Sequence, residues 1–143
     1  VIKDFEEFVK SGDVIEGSPD AELAKSLLKV AKLRWQTIPN TPTVLNSFTI
    51  VENAYEAVRE LIDGLMAVEG YKSYSQEASI AFAARSYLDD LSVSIVHRID
   101  RYRQIRNDIK YRGILTTAEE ARFAQQELGK AFEILSKLLS QKV

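Results

Sequence analysis

Arg106 sets a permanent positive charge in the middle of an apolar helical stripe. At about 100° per residue, Leu91, Ile95, Ile99, Tyr102, Arg106 and Ile109 fall on one side of a helix, the side expected to enter a core. A guanidinium there loses its hydration unless an anion or a hydrogen-bond acceptor meets it. Two roles are open to it. One is to meet an anion such as a phosphate through charge-assisted hydrogen bonds. The other is a buried helix-to-helix or dimer ion pair, with Asp63, Glu60 or a backbone carbonyl as acceptor.

The residues around Arg106 extend the first role. Arg98, Arg101, Arg103, Arg106, Lys110 and Arg112 stand against only Asp100 and Asp108, a local excess of four positive charges. The whole chain carries −2, so the remainder carries −6. A basic segment on an acidic body attracts phosphate locally, although a charge run of this kind is also what a solvated, salt-bridged helix face looks like. Tyr102, Arg103, Arg106 and Tyr111 interleave aromatic and basic groups in the manner of single-strand binders. Arg103, Arg106, Lys110, Tyr111 and Arg112 are therefore candidates for RNA or nucleotide binding, and Asn107 joins them on the resemblance described below. Tyr111 has a structural alternative as a helix-end aromatic packed on Ile114 or Phe123.

Other chemistries have little to stand on. The only histidine, His97, precedes Arg106 by nine positions, about 180° around a helix, so the two cannot act on the same substrate atom within one chain; His97 is expected to be an ordinary, partly exposed helix residue. A single histidine excludes His-rich metal sites, and the absence of cysteine excludes disulfides, thiolate metal sites and thiol catalysis. No metal and no cofactor are expected. Gly64, Gly70 and Gly113 are isolated, explained by helix packing or termination rather than by a phosphate cradle. There is no basic leader and no apolar run of transmembrane length, so the chain reads as soluble and cytoplasmic, without a membrane partner.

These residues must be positioned by helices. At 143 residues the chain is expected to form one domain, with residues 1–17 peripheral and residues 18–140 forming the body. Ser18-Pro19-Asp20 resembles an N-cap followed by a first-position Pro, opening a helix that buries Leu23, Leu27, Val30 and Ala31. A second helix over about 47–68 aligns Ile50, Ala54, Ala57, Leu61, Leu65 and Val68, with Gly70 placed to end it. Ser73-Tyr74-Ser75-Gln76 fits a capping box for a third helix carrying Ile80, Phe82, Ala83 and Leu88, with a break near Asp89-Asp90 left open. The Arg106 helix ends near Gly113. A last helix starts at Thr116 or Thr117, with Glu119 or Glu120, and buries Ala121, Ala124, Leu128, Phe132, Leu135 and Leu139. No segment shows competing strand alternation. The expected fold is all-α, an antiparallel up-and-down bundle of four main helices. Phe5, Phe8 and Val9 suit a short extra N-terminal helix limited by Gly12 and Gly17.

The run Arg106-Asn107-Asp108-Ile109-Lys110-Tyr111-Arg112-Gly113 resembles the signature of the HEPN superfamily, an Arg followed four to six residues later by a His at the end of a long bundle helix. The likeness extends upstream through Glu52-Asn53-Ala54-Tyr55-Glu56-Ala57-Val58-Arg59-Glu60-Leu61, Glu69-Gly70-Tyr71-Lys72-Ser73 and Gln76-Glu77-Ala78-Ser79-Ile80. It continues downstream through Thr116-Thr117-Ala118-Glu119-Glu120-Ala121, so it covers most of residues 20 to 140. The resemblance implies a dimer with a shared cleft for RNA or a nucleotide, metal-independent ribonuclease chemistry, and a toxin-like role beside a small nucleotidyltransferase partner. Carried over residue by residue, Arg106 takes the signature Arg and Asn107 the polar residue after it, while Tyr111 stands where the His is expected. A phenol titrates near 10, so it is a poor general base at neutral pH. Arg106 and Tyr111 are thus the catalytic candidates, with weak or absent cleavage expected. The reading from a different class is a non-enzymatic helical module that binds a protein partner.

Overall fold

The computed structural model describes residues 2–143, and they form an all-α fold. Its helices are α1 (Phe5–Ser11), α2 (Ala21–Gln36), α3 (Ser47–Val68), α4 (Gln76–Ser86), α5 (Leu88–Leu91), α6 (Val93–Arg112) and α7 (Ala118–Lys142). Two three-residue strands, β1 (Val14–Glu16) and β2 (Tyr71–Ser73), pair antiparallel with Val14 opposite Ser73 and Glu16 opposite Tyr71. The expectation of no strand is corrected by this pair. Three residues are too few to leave an alternating pattern, and only Val14 of β1 is buried.

Helix α3 is the centre of the molecule. Thirteen of its 22 residues are buried, which suits a helix packed on several sides rather than one. It packs against α2, α7, α4 and α6. Gly64 lets α2 and α7 close on it: a Cβ there would meet the Leu139 side chain at 2.6 Å and the Ala24 carbonyl at 3.6 Å. Ile50, Ala54, Ala57, Leu61 and Leu65 are buried along α3 as expected, and Val68 is half-buried.

Helix α2 is rotated from the expected face. Ala24 and Ala31 are its buried residues, with Leu28 and Trp35 packed against the core. Leu23 and Val30, expected inside, are 40% and 42% exposed, and Leu27 is half-buried. The stacking of Trp35 on Phe132 of α7, ring centres 4.7 Å apart, accounts for the rotation. It turns the alanines inward, where their small size permits close helix approach. The helix also starts later than expected. Asp20, not Ser18, is the N-cap and accepts from the Leu23 N–H at 3.0 Å.

The N-terminal segment is tied into the core. Phe5 and Phe8 of α1 are buried, and the Phe5 ring meets Tyr71 and Phe82 edge-on at 5.2 and 5.5 Å. Gly12, at φ 85°, ends α1 in the left-handed region. Gly70 adopts φ 87°, and a Cβ on it would collide with the Gly17 carbonyl. The Gly17 N–H donates to the Gly70 carbonyl at 2.7 Å, which clips the first connection to the end of α3.

Ser75, rather than Ser73, caps α4, accepting from the Ala78 N–H at 3.3 Å. The break left open near Asp89 falls on either side of it, at Tyr87 and at Ser92. Ser92 has φ 78° and caps α6 through the Ile95 N–H. Leu88, expected inside, is exposed on α5. Helix α6 ends at Gly113 in the left-handed region. Helix α7 begins with a capping box in which Thr117 accepts from the Glu120 N–H at 3.1 Å and Glu120 accepts from the Thr117 N–H at 2.9 Å. Among the described residues no helix is long and apolar enough to cross a membrane.

Candidate functional site

Helix α6 buries Val96, Ile99, Tyr102, Arg106 and Ile109 along one side. Arg106 is 8% exposed, so its charge sits within the packed seam between α6 and α3. One guanidinium nitrogen lies 3.5 Å from Glu56 Oε1 on α3, and the other donates to Asn107 Oδ1 at 3.2 Å. The acceptor is therefore Glu56, not Asp63, Glu60 or a backbone carbonyl. The signal for it was the row Glu52, Glu56 and Glu60, four residues apart on one side of α3.

Glu56 belongs to a wider ionic belt along that side of α3. Its second oxygen is 3.3 Å from Arg59, and Arg59 Nε lies 3.6 Å from Asp63. Asp63 accepts from the Ser79 hydroxyl of α4 at 2.6 Å. Burial nevertheless raises the Asp63 carboxyl to about 6, because lost hydration outweighs what Ser79 and Arg59 return. Glu60 makes a two-pronged pair with Arg34 of α2 at 2.8 and 2.9 Å, which holds the guanidinium above its ordinary range. On the other flank Arg103 donates to Asp100 at 2.9 Å and lies 3.6 Å from Glu77.

The belt is crowded with charge but incompletely hydrogen-bonded. Glu56 Oε1 and Arg59 Nε are buried without a hydrogen-bond partner. An ion pair at 3.5 Å keeps Coulomb attraction while forgoing the shorter contact that would satisfy both groups. A buried, half-satisfied network of this kind is costly unless a further group completes it. It can therefore accept an anion on the arginines or a donor on Glu56.

The predicted residues do not all converge. Arg103, Arg106 and Asn107 lie at the α3–α6 seam, whereas Lys110, Tyr111 and Arg112 are exposed in the last turn. Tyr111 is 70% exposed, and five residues along a helix place it about 140° around the axis from Arg106. Ile114 and Phe123, the packing partners expected for it, are themselves exposed, and the Lys110 ammonium lies 5.6 Å from its ring centre. Within one chain Tyr111 and Arg106 therefore leave α6 on different sides, one exposed and one buried. Arg112 is held loosely to Asp108 at 3.4 Å. Tyr102 donates to Glu127 of α7 at 2.9 Å, and burial raises its phenol, so it serves packing between α6 and α7. Among the described residues no cluster of His, Asp or Glu could hold a metal ion.

No family model matches the chain, and comparison with curated proteins and with solved structures returned no match either.

Proposed function

We propose that this chain is a HEPN-type protein, an antiparallel bundle of four main helices that dimerises and binds RNA or a nucleotide through Arg106 and Asn107. The observation that supports this reading best is a permanent cation, buried at the position of the signature Arg, whose only carboxylate partner among the described residues stands at 3.5 Å with an unsatisfied oxygen. A phosphate brings several acceptor oxygens and can replace so loose a partner. Lys110 and Arg112, exposed one turn further on, would add weaker contacts along the same strand.

Dimerisation is part of the proposal because Arg106 and Tyr111 diverge within one chain. A composite cleft would bring Tyr111 of one copy towards Arg106 of the other. With a phenol in place of an imidazole, metal-independent ribonuclease activity is weak or absent. The toxin-like role beside a nucleotidyltransferase partner, and the cytoplasmic location, complete the proposal; a nucleotidyltransferase gene next to this one is the observation that would support the partner.

A second reading, a helical module that binds a protein, is favoured by the exposed apolar stripe Leu23, Val30 and Leu33 on α2. The two readings part in one experiment. Light scattering at micromolar concentration is expected to give a dimer, and Tyr111→His is expected to gain RNA cleavage in the absence of metal, the gain vanishing when Arg106→Ala is added. A monomer, or a folded dimer that cleaves in no variant, would leave the interaction module as the better account.

A further inference from the structure

An apolar hollow lies at the start of α6, towards the opposite end of that helix from Arg106. Phe5 of α1, Ala81 and Ala84 of α4, Leu88 of α5, and Val93 and Val96 of α6 wall a cavity of about 560 Å³. That volume falls within the roughly 300–1,000 Å³ typical of small-molecule sites. The space has an identifiable origin. Alanines stand on α4 where larger side chains would fill it, and the left-handed Ser92 between α5 and α6 turns Leu88 and Val93 outward to its lip. Ser92 is the sole non-glycine residue with positive φ among the described residues, and such backbone strain gathers at functional sites.

The polar groups at the rim are unequal. Arg85 is occupied: it lies 3.2 Å from Glu6 and 4.0 Å from Glu69, and its guanidinium stacks 4.6 Å from the centre of the Phe5 ring. Glu6 is thereby neutralised. Lys3 and Asp4, adjacent in the chain, oppose each other in charge. His97 remains, an exposed imidazole lining the cavity with no side-chain hydrogen bond or ion pair among the described residues. An apolar hollow with one uncommitted ring N–H is suited to an apolar body carrying one accepting oxygen group.

We propose that the cavity between α1, α4, α5 and α6 binds a small, largely apolar carboxylate, with His97 meeting its head and the Phe5, Ala84 and Val96 side chains holding its body. The sequence assigns His97 an ordinary exposed position; its place at this cavity gives it a ligand-binding role. The proposal is independent of the Arg106 site: the cavity opens at the first turns of α6, and His97 lies nine residues before Arg106, about 180° around the helix.

The chain holds a single histidine, so its ring resonances need no assignment. Decanoate, kept below its aggregation concentration, is titrated against the protein while the imidazole signals are followed by NMR. Saturable displacement of the His97 signals is expected, with a dissociation constant in the micromolar range. Ala84→Trp, which fills the hollow, should weaken binding at least tenfold. His97→Leu, at an exposed site that leaves the core intact, should weaken it severalfold by calorimetry. Leu33→Asp, on the apolar stripe of α2, should change nothing. Unmoved His97 signals at saturating decanoate would overturn the proposal, as would a loss of binding that follows Leu33→Asp instead. Should Ala84→Trp fail to fold, calorimetric binding unaltered by His97→Leu would overturn it equally.

Discussion

Arg106 and Glu56 face each other across the α3–α6 seam at 3.5 Å, close enough to neutralise and too far to satisfy. Glu56 shares its second oxygen with Arg59, while the oxygen turned to Arg106 is buried and receives no hydrogen bond. The Arg106 cation is thus restrained by an internal carboxylate, which in the proposed role a phosphate would have to displace. In that proposed role Glu56 would set the affinity for an anion without touching the ligand itself.

Removing the competing charge should therefore strengthen binding. Glu56→Gln keeps the shape and an accepting oxygen while releasing Arg106 and Arg59 from a negative neighbour. Affinity for single-stranded RNA is expected to rise by up to roughly fivefold, the range of a partly exposed ion pair. Fluorescence anisotropy with a labelled oligonucleotide measures it, and weaker binding by Glu56→Gln would mean that Glu56 supports the site rather than competing for it.

Asp63 ties the stability of the belt to pH. Its folded value, about 6, lies above the 3.8 of an ordinary aspartate, so between those values the folded state binds the proton more tightly than the unfolded chain. The resulting stability is present in full below about pH 4 and is lost as pH rises through about 6. Asp63→Asn keeps an acceptor for the Ser79 hydroxyl and removes the charge. At pH 7.5 it should be more stable than the native chain by on the order of 2 kcal/mol, with little difference at pH 4. Urea denaturation at the two pH values decides it; equal differences at both would show that burial of the Asp63 charge carries no cost.

Much of this arrangement can be read from residues in sequence. The limits of α3 follow from Ile50, Ala54, Ala57, Leu61 and Leu65 in phase with Gly70 beyond them, and the end of α6 from Gly113. The burial of Arg106 follows from Ile99, Tyr102 and Ile109 on the same side. The rotation of α2 does not: Ala31 is buried as expected, but Ala24 is buried in place of Leu23, one position away, where apolar periodicity favours the larger side chain. Stacking of Trp35 on Phe132, a tertiary contact 97 residues apart in the chain, decides between them. The partner of Arg106 was hidden for a related reason. Glu52, Glu56 and Glu60 share one side of α3, and which of them meets Arg106 depends on how far α6 slides along α3.

The clip between the first connection and the end of α3 makes a test of the fold itself. Gly70 combines φ 87° with the Gly17 carbonyl pressed against the place a Cβ would take. Gly70→Ala should destabilise the protein by about 2–4 kcal/mol, from left-handed strain and displacement of backbone that cannot yield as a side chain does. Gly12→Ala, at φ 85° but with open space around it, should cost about 1 kcal/mol. Thermal unfolding of the two variants compares them, and equal losses would show that the Gly17 contact carries no weight.

Binding of single-stranded RNA as a function of salt tests the role of Arg106 most directly. Each phosphate neutralised releases condensed counterions, so the logarithm of the binding constant falls with the logarithm of salt at a slope of about −0.7 per contact for a single strand. Arg106→Ala is expected to lower affinity at least tenfold at 0.1 M salt and to reduce the slope by about one contact, with the variant still folded and dimeric. Native affinity and an unchanged slope in Arg106→Ala would contradict the account and leave the buried arginine a purely structural partner of Glu56.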